Sequence, residues 1–509
     1  MDIPGWLADR AAKRLAAYDQ DGLGRRTWQR DHTVWKPDPE EIANRLGWLD
    51  VPVQTQAEVA SIRDVAHDVV AAGYSRVVLL GMGGSSLAPE VLARTFAHRD
   101  PHPELEVLDA THPAQVRQVI EHDGDGDTLY IVASKSGGTI ETLSQYRYFR
   151  SRYPDGRRFV AITDGGSKLE ATAREEDFFR IFLNDPEIGG RYSALSYFGM
   201  VPAALCGVDI AAVLDQAMAM RDACGPKVPG KDNPGAWLGA VLGEAALAGR
   251  DKLTIVLPEG LQSLGWWIEQ LIAESTGKEG VGILPVEGEA PGPPEVFGED
   301  RIFVAYGEHP WLDAVAEAGA PVIRYPAFEP AGLGAEFFRW EYATAIACQV
   351  LGVNPFDQPN VQEAKDATAE VLSSTQEPDG KTPPVDQVLA TVRPGDYIAL
   401  NAFATRNAEH EALLRKAQTV LRDRYRVAVT TGYGPRFLHS TGQLHKGGPN
   451  TGVFLQMVQP VEEDIEIPGA SYTFGRLMQA QADGDLASLQ MRDRRVARLS
   501  LEALAELVE

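Results

Sequence analysis

The stretch RVVLLGMGGSS, residues 76–86, decides the fold of this chain. Its first five residues form a short apolar run rich in β-branched side chains, which predicts a buried strand. The glycines that follow predict a tight turn, and the periodic pattern that begins near Ala88 predicts a helix. A strand, a glycine-rich turn and a helix in this order present backbone N–H groups at a helix start, which is a natural site for an anion.

This turn lacks the known nucleotide-binding signatures. A dinucleotide fingerprint, GxGxxG, would require glycine where the chain has Ser86. A Walker A loop would require the triplet Gly-Lys-Ser or Gly-Lys-Thr, and this turn contains no lysine. The sequence therefore predicts no nucleotide cofactor. On its own, the turn is also compatible with a purely structural role.

The alternation of strands and helices continues outward from this stretch. Further strands are predicted at residues 105–108, 128–133, 159–162, 252–257, 301–306, 321–325, 397–403, 426–430 and 453–458. Strands that alternate with helices of ordinary length predict parallel sheets covered on both faces. We predict an α/β protein with a helical extension over residues 1–50, a first domain over 51–228, and a second over 229–509 that ends in a C-terminal α/β segment.

The composition limits the partners and the compartment. The chain has 509 residues, with 48 Lys and Arg against 72 Asp and Glu, so its net charge is −24. This charge argues against nucleic acid or an anionic membrane surface as a partner. Three widely spaced cysteines suggest neither a zinc site nor a disulfide framework, and they favour buried thiols in a reducing cytoplasm. The N-terminus has no uninterrupted apolar run, so it does not resemble a signal peptide.

A second loop, SKSGGTIET at residues 134–142, also lies between a predicted strand and a predicted helix. It offers three hydroxyl side chains and several backbone N–H groups at a helix start, where the helix dipole adds partial positive charge. This chemistry suits a phosphate monoester. The alternative is an N-capping loop, but a cap explains only one of the three hydroxyls.

Four further motifs carry chemically useful side chains: GGRYS at 189–193, ESTGK at 274–278, FDQPNVQEAK at 356–365 and LHSTGQLHKGG at 438–448. A carboxylate beside apolar residues can serve as a general base, and paired histidines can move protons near neutral pH. Each residue taken alone also has an ordinary structural explanation. No histidine pair is completed by a third ligand, so we predict no metal site.

Taken in order, these motifs resemble the glucose-6-phosphate isomerase (phosphoglucose isomerase) family. The resemblance begins near residue 57 and runs to the C-terminus, and it is closest to the isomerase portion of bacterial bifunctional transaldolase/glucose-6-phosphate isomerase proteins. It implies two flavodoxin-like α/β/α sandwich domains of the sugar-isomerase (SIS) type. It also implies a homodimer that needs no cofactor and takes a small sugar phosphate as substrate.

The resemblance implies a role for each matching residue. Glu274 would move the proton between C2 and C1, Arg191 would stabilise the anionic intermediate, and Lys365 would act beside the sugar ring with a histidine. The implied substrate-binding residues are Gly84, Ser85, Ser134, Lys135, Ser136, Thr139 and Gln358.

Two positions depart from the family pattern. Asn360 stands where the family signature has glycine, and no matching histidine lies between Glu274 and Lys365. The best match is His439, which follows Lys365, with His445 as the alternative. In a family-like dimer this histidine would come from the partner subunit.

The reaction implied is the reversible conversion of glucose 6-phosphate to fructose 6-phosphate through a cis-enediol, a step of glycolysis and gluconeogenesis. Two alternatives stay open. The first is isomerisation of a related phosphorylated or anionic sugar, such as mannose 6-phosphate. The second is a SIS module that binds a sugar phosphate without turnover, which would need the SKSGGT loop but not Glu274, Arg191 and Lys365 together.

Overall fold

The computed structural model describes residues 3–122, 127–373 and 380–509, except for the side chains of residues 362, 364, 365, 367 and 373. Two α-helices lie within the first 50 residues, α1 (Gly5–Gln20) and α2 (Leu23–Trp28). Within the described residues, the rest of the chain builds three parallel sheets with helices around them. The predicted α/β class with parallel sheets is confirmed.

The first sheet has five strands in the order β2-β1-β3-β4-β5. Its strands are β1 (Arg76–Gly81), β2 (Glu104–Leu108), β3 (Thr128–Ala133), β4 (Phe159–Asp164) and β5 (Arg180–Asn184). Its helices are α3 (Val51–Ala57), α4 (Val59–Ala71), α5 (Leu87–Thr95), α6 (Pro113–Glu121), α7 (Ile140–Arg152), α8 (Lys168–Glu175), α9 (Tyr197–Leu205) and α10 (Ile210–Ala223). The central strands are buried throughout, as their continuous apolar runs require.

The second sheet has four strands in the order β7-β6-β8-β9. Its strands are β6 (Lys252–Val256), β7 (Leu284–Val286), β8 (Arg301–Tyr306) and β9 (Val322–Tyr325). Its helices are α11 (Pro234–Leu247), α12 (Leu264–Thr276), α13 (Trp311–Glu317) and α14 (Leu333–Leu351). The next helix along the chain, α15 (Pro359–Ser373), packs mainly against helices of the C-terminal segment. The predicted domain boundary at 228 and 229 lies in the loop between α10 and α11.

The predicted C-terminal α/β segment carries a third sheet, with the order β11-β10-β12-β13. Its strands are β10 (Tyr397–Phe403), β11 (Ala428–Tyr433), β12 (Gly452–Val458) and β13 (Arg495–Leu499). Its helices are α16 (Val385–Leu389), α17 (Ala408–Tyr425), α18 (Gly442–Gly447), α19 (Phe474–Met491) and α20 (Leu501–Leu507). All three sheets therefore wind in the same way, with the first strand between the second and the third.

The apolar core ties the first two sheets together. One continuous cluster of buried side chains runs from α1 through β1 and β3 to α12 and α14. The buried helix α14 packs against both α10 and α11, so these helices form a layer shared by the two sheets. The third sheet has a core of its own, and a smaller cluster joins it to the second sheet.

Two smaller findings complete the fold. Among the residues described, no helix is both long and apolar enough to cross a membrane. Cys206, Cys224 and Cys348 are buried free thiols, as the sequence predicts, and burial raises the pKa of each to about 12.

Candidate active site

The predicted site lies where the winding of the first sheet changes direction. The strands β1 and β3 are parallel neighbours, with Gly81 opposite Ala133 at their carboxyl ends. One chain segment leaves β1 toward β2 and another leaves β3 toward β4, which opens a crevice between the two turns. The GMGGSS and SKSGGT loops both begin at this crevice, so the fold brings the two predicted anion loops together.

The first glycine loop packs against two other site segments. A Cβ atom on Gly84 would lie 1.9 Å from the carbonyl oxygen of Gly190, beside Arg191. Gly83 has a φ of +55°, and a Cβ there would lie 2.9 Å from the carbonyl oxygen of His439. These contacts explain the glycines, because no side chain fits between the three segments.

The SKSGGT loop holds its hydroxyl groups close together. Ser134 Oγ and Thr139 Oγ1 share a hydrogen bond of 3.0 Å, and Ser136 Oγ accepts one of 3.2 Å from the N–H of Gly138. Lys135 is oriented differently, because its ammonium pairs with Asp164 and donates to the carbonyl oxygen of Pro186 at 2.8 Å. The loop therefore offers hydroxyls and N–H groups at the start of α7, with the lysine at its edge.

A cavity of about 260 Å³ opens beside this loop. Its walls include Gly138, Thr139, Glu141, Val361, His439 and Gln481. The cavity thus joins the predicted phosphate loop to the predicted acid/base histidine. A pocket of this size suits a small ligand.

The histidine belongs to the same chain as the phosphate loop. His439 Nε2 lies 2.9 Å from Glu141 Oε1, and that carboxylate also accepts a hydrogen bond of 2.7 Å from Gln481. Glu141 is buried in the first turn of α7. Its carboxylate therefore pairs with the imidazole of His439 and holds the ring in one orientation. The predicted supply of this histidine by a partner subunit is therefore not needed to complete the arrangement.

His445 occupies a different environment. It is 1 % exposed, and its ring packs among Tyr397, Phe437 and Phe454. Among the residues that the structure describes, neither ring nitrogen has a hydrogen-bond partner. Burial and the nearby Lys446 lower its pKa well below the usual value. A neutral histidine in an aromatic core cannot exchange protons with a ligand in the cavity, so the geometry favours His439 of the two.

Glu274 and Arg191 form a buried pair. Arg191 Nη1 lies 3.2 Å from Glu274 Oε1, and their side chains are 3 % and 9 % exposed. The guanidinium also donates to Ser275 Oγ at 2.9 Å and to Gln358 Oε1 at 2.7 Å. Three predicted site residues from separate motifs, Arg191, Glu274 and Gln358, therefore meet at one point. There the Glu274 carboxylate and the Arg191 guanidinium lie side by side and buried.

Gln270 links this pair to the histidine segment, and it lies in none of the quoted motifs. Its amide nitrogen donates to Glu274 Oε2 at 3.1 Å and to the carbonyl oxygen of His439 at 2.8 Å. A signal for it exists in the sequence, since residues four apart on a helix share a face. Glu141 lies inside the quoted SKSGGTIET motif, whereas Gln481 lies on α19, far along the chain, with no motif around it.

The FDQPNVQEAK motif crosses from a loop into α15. Asn360 occupies the family's glycine position, and its N–H donates to Gln443 Oε1 at 2.9 Å, which ties the start of α15 to α18. The backbone of Lys365 lies in α15, but its side chain is outside the described part of the structure. Over the described residues, no group of three or more His, Cys, Asp or Glu side chains is placed to hold a metal ion.

Comparison with known proteins finds relatives of this sequence. The family model described as phosphoglucose isomerase matches residues 60–300. A glucose-6-phosphate isomerase from Nostoc sp. is 26 % identical over 423 residues, covering 72 % of this chain and 78 % of the relative. One from Acaryochloris marina is 32 % identical over 278 residues, covering 53 % and 52 %.

Solved structures share the fold. A hypothetical protein from Thermus thermophilus superposes with a TM-score of 0.62 at 24 % identity, covering 72 % of this chain and 98 % of that one. A glucose-6-phosphate isomerase from Chlamydia trachomatis superposes with a TM-score of 0.52 at 19 % identity, covering 72 % and 80 %. The chain therefore has the α/β fold that these solved structures share. In sequence it is similar to phosphoglucose isomerases, whose family model matches residues 60–300.

Proposed function

We propose that this chain interconverts glucose 6-phosphate and fructose 6-phosphate. The observation that carries the proposal is the Glu274–Arg191 pair, linked through Gln270 to the segment that holds His439. The pair supplies a base and a cation, and the same hydrogen-bond network holds the segment of a histidine; these are the groups that proton transfer next to a carbonyl requires.

The phosphate group of the substrate would bind at the SKSGGT loop. The hydroxyls of Ser134, Ser136 and Thr139 and the N–H groups at the start of α7 supply donors, and the helix dipole favours the negative charge. Lys135 adds positive charge at the edge of the loop. Gly84 and Ser85 would line the sugar, where the glycine loop meets Arg191.

Ring opening would use His439. Its hydrogen bond to Glu141 orients the imidazole, which would pass a proton to and from the ring oxygen or the O1 hydroxyl. Lys365 is proposed for the ring side on the strength of the family signature alone.

Isomerisation would then use Glu274 as the base. Glu274 would take the proton from C2 while the C1 carbonyl oxygen gains a proton, which gives the cis-enediol. The same carboxyl group would return the proton to C1 while the O2 hydroxyl gives up its proton, which leaves the C2 carbonyl of fructose 6-phosphate. Arg191 would stabilise the negative charge that develops on the oxygens, an interaction strengthened because the pair is buried. Gln358 would accept a hydrogen bond from Arg191, which holds the guanidinium in place, and Gln358 would also contact the sugar.

A coupled assay tests this function. Fructose 6-phosphate is supplied with an NADP-linked glucose-6-phosphate dehydrogenase, and NADPH formation is followed in the presence of EDTA. A parallel reaction replaces that substrate with mannose 6-phosphate and uses a detection step for fructose 6-phosphate. We expect turnover of the first substrate; turnover of mannose 6-phosphate alone would reassign the sugar, and tight binding without turnover would indicate a binding module.

We also propose a homodimer in the cytoplasm. The family resemblance supports the dimer, and three buried free thiols suit a reducing compartment. The dimer would not need to share active-site residues, because His439 already reaches Glu141 within one chain.

A further inference from the structure

Lys278 is a buried cation for which neither the motifs nor the proposed reaction gives a role. It follows the end of α12 by two residues and is 1 % exposed. Its ammonium donates to the carbonyl oxygen of Asn354 at 2.7 Å, to that of Asp357 at 2.6 Å, and to Asp357 Oδ1 at 2.6 Å. All three N–H groups are therefore committed to one short segment, which we call the 354–358 loop.

The same loop is held by Arg191 from the other side. Arg191 Nη2 donates to the carbonyl oxygens of Pro355 and Asp357, each at 2.8 Å, and Nη1 donates to Gln358 Oε1 at 2.7 Å. Lys278 and Arg191 thus share the carbonyl oxygen of Asp357. The loop leads from α14 to α15 and ends at Gln358, the residue proposed to contact the sugar.

We propose that Lys278 is a positioning residue that holds the 354–358 loop against α12, so that Arg191 and Gln358 stay in register with Glu274. This role rests on the proposed function, since it concerns the same site. Without the ammonium, the carbonyl oxygen of Asn354 and the Asp357 carboxylate would lose this donor, and the carbonyl oxygen of Asp357 would keep only Arg191. Arg191 would then be the one cation of the pair left on the loop, and its guanidinium would be free to shift away from Glu274.

The charges around Lys278 add a dependence on pH. Burial and Arg191 lower the pKa of Lys278 to about 8, while Asp357 acts in the opposite direction. The nearby thiol on α14, Cys348, has a pKa of about 12 and stays neutral. Lys278 therefore loses its proton above about pH 8, and a neutral amine faces three acceptor oxygens with only two N–H groups. Removal of the Asp357 charge would lower this pKa further.

The test uses Lys278→Met and Asp357→Asn, with Lys36→Met as the matched control. Lys36 pairs with Glu279 and lines a surface pocket shared with Asn354, Asp357 and Gln358, so its loss removes a nearby lysine ion pair without removing a hydrogen bond to the loop. We expect Lys278→Met to lower kcat about tenfold or more, because small misplacements of reacting groups are costly. We expect Asp357→Asn to move the alkaline fall in kcat to lower pH, and Lys36→Met to change neither.

Hydrogen exchange supplies a readout that does not depend on activity. The peptide that spans the 354–358 loop should exchange faster in Lys278→Met and Asp357→Asn than in the wild-type and Lys36→Met proteins. If Lys278→Met does not fold, the Asp357→Asn protein carries both measurements. Wild-type exchange in the loop, or an unmoved alkaline fall in folded Asp357→Asn protein, would overturn the inference. If the wild-type protein lacks isomerase activity but the two variants still exchange faster, the loop-holding role is supported and the proposed function is refuted.

Discussion

His439 Nε2 and Glu141 Oε1 share a hydrogen bond of 2.9 Å, although 298 residues separate them in the chain. Glu141 lies in the first turn of the helix after the SKSGGT loop of the first sheet, and His439 follows a strand of the third. The C-terminal unit therefore contributes His439 to the wall of the cavity beside this loop. If the proposed function holds, the third sheet positions the acid/base histidine.

A mixing experiment tests whether the site is complete within one chain. We predict that Glu274→Gln and His439→Ala proteins, each strongly impaired, stay impaired when they are unfolded together and refolded as a mixture. If each chain builds its own site, every chain in the mixture carries one of the two changes in that site. No mixed assembly then contains an intact site. The coupled assay measures the result.

Shared sites would give a different result from the same mixture. If one chain supplied Glu274 and its partner supplied His439, mixed dimers would contain one intact site and activity would return. A covalent check uses Glu141→Cys with His439→Cys and a short bis-maleimide, with the native thiols protected by burial. We expect cross-linking within the chain; a covalent dimer on a reducing gel would contradict the assignment.

The two histidines of the LHSTGQLHK segment should behave in opposite ways. His439→Ala removes the partner of Glu141 and should slow turnover of the cyclic sugar by about a hundredfold, a typical contribution of general acid–base catalysis. His445→Phe places a ring of similar shape in an aromatic core and should leave kcat within about twofold of the wild-type value. Equal effects of the two changes on kcat, at unchanged melting temperature, would contradict the choice of His439 over His445.

The contact between the glycine loop and the arginine segment predicts a strong effect of one methyl group. In Gly84→Ala, the new Cβ would lie 1.9 Å from the carbonyl oxygen of Gly190, so the loop or the Arg191 segment must move. We expect a loss of about 1–3 kcal/mol in stability and a lower kcat. Gly165→Ala is the control, because nothing lies within 4 Å of its Cβ position. Unchanged kcat in Gly84→Ala would show that the contact does not shape the site.

If the SKSGGT loop binds the phosphate, a change in this loop should act mainly on KM. Thr139→Val keeps the shape of the side chain but removes a hydroxyl at the cavity wall and its hydrogen bond to Ser134. We expect KM for fructose 6-phosphate to rise about tenfold, the value of one charge-assisted hydrogen bond. Thr172→Val, on the surface of α8, is the control and should leave KM unchanged. If KM responds equally to both changes, the loop does not bind the phosphate.

The sequence predicts the central strands better than the edges. The strands β1, β3 and β8 are predicted because each is a continuous apolar run, buried on both faces. The edge strand β13 escapes prediction because Arg498 interrupts its apolar run, and the edge strand β5 because only three apolar residues lie between Arg180 and Asn184. The edge strand β7 escapes prediction because it has only three residues. The third sheet is expected only as a C-terminal α/β segment, since periodicity does not show which strands pair.

For the site, the sequence identifies the residues that lie within motifs. Arg191, Glu274 and Gln358 come from three motifs and meet in the structure, and His439 lies at the cavity beside Thr139. The family resemblance implies that Lys135 binds the phosphate, which stays a prediction; the structure adds that its ammonium pairs with Asp164. Local sequence cannot show this pairing, because a lysine side chain reaches several partners and only the fold decides which carboxylate is near.

Proton exchange at C2 tests the central claim most directly. Glucose 6-phosphate is incubated in D2O with the wild-type protein or with Glu274→Gln, and the loss of the C2 proton signal is followed by NMR. Calorimetric titration with the same sugar confirms that the variant still binds. We predict rapid exchange with the wild type and exchange slowed at least about a thousandfold by Glu274→Gln, since the amide cannot accept the proton. Exchange at the wild-type rate by the variant would contradict the assignment of Glu274 as the base.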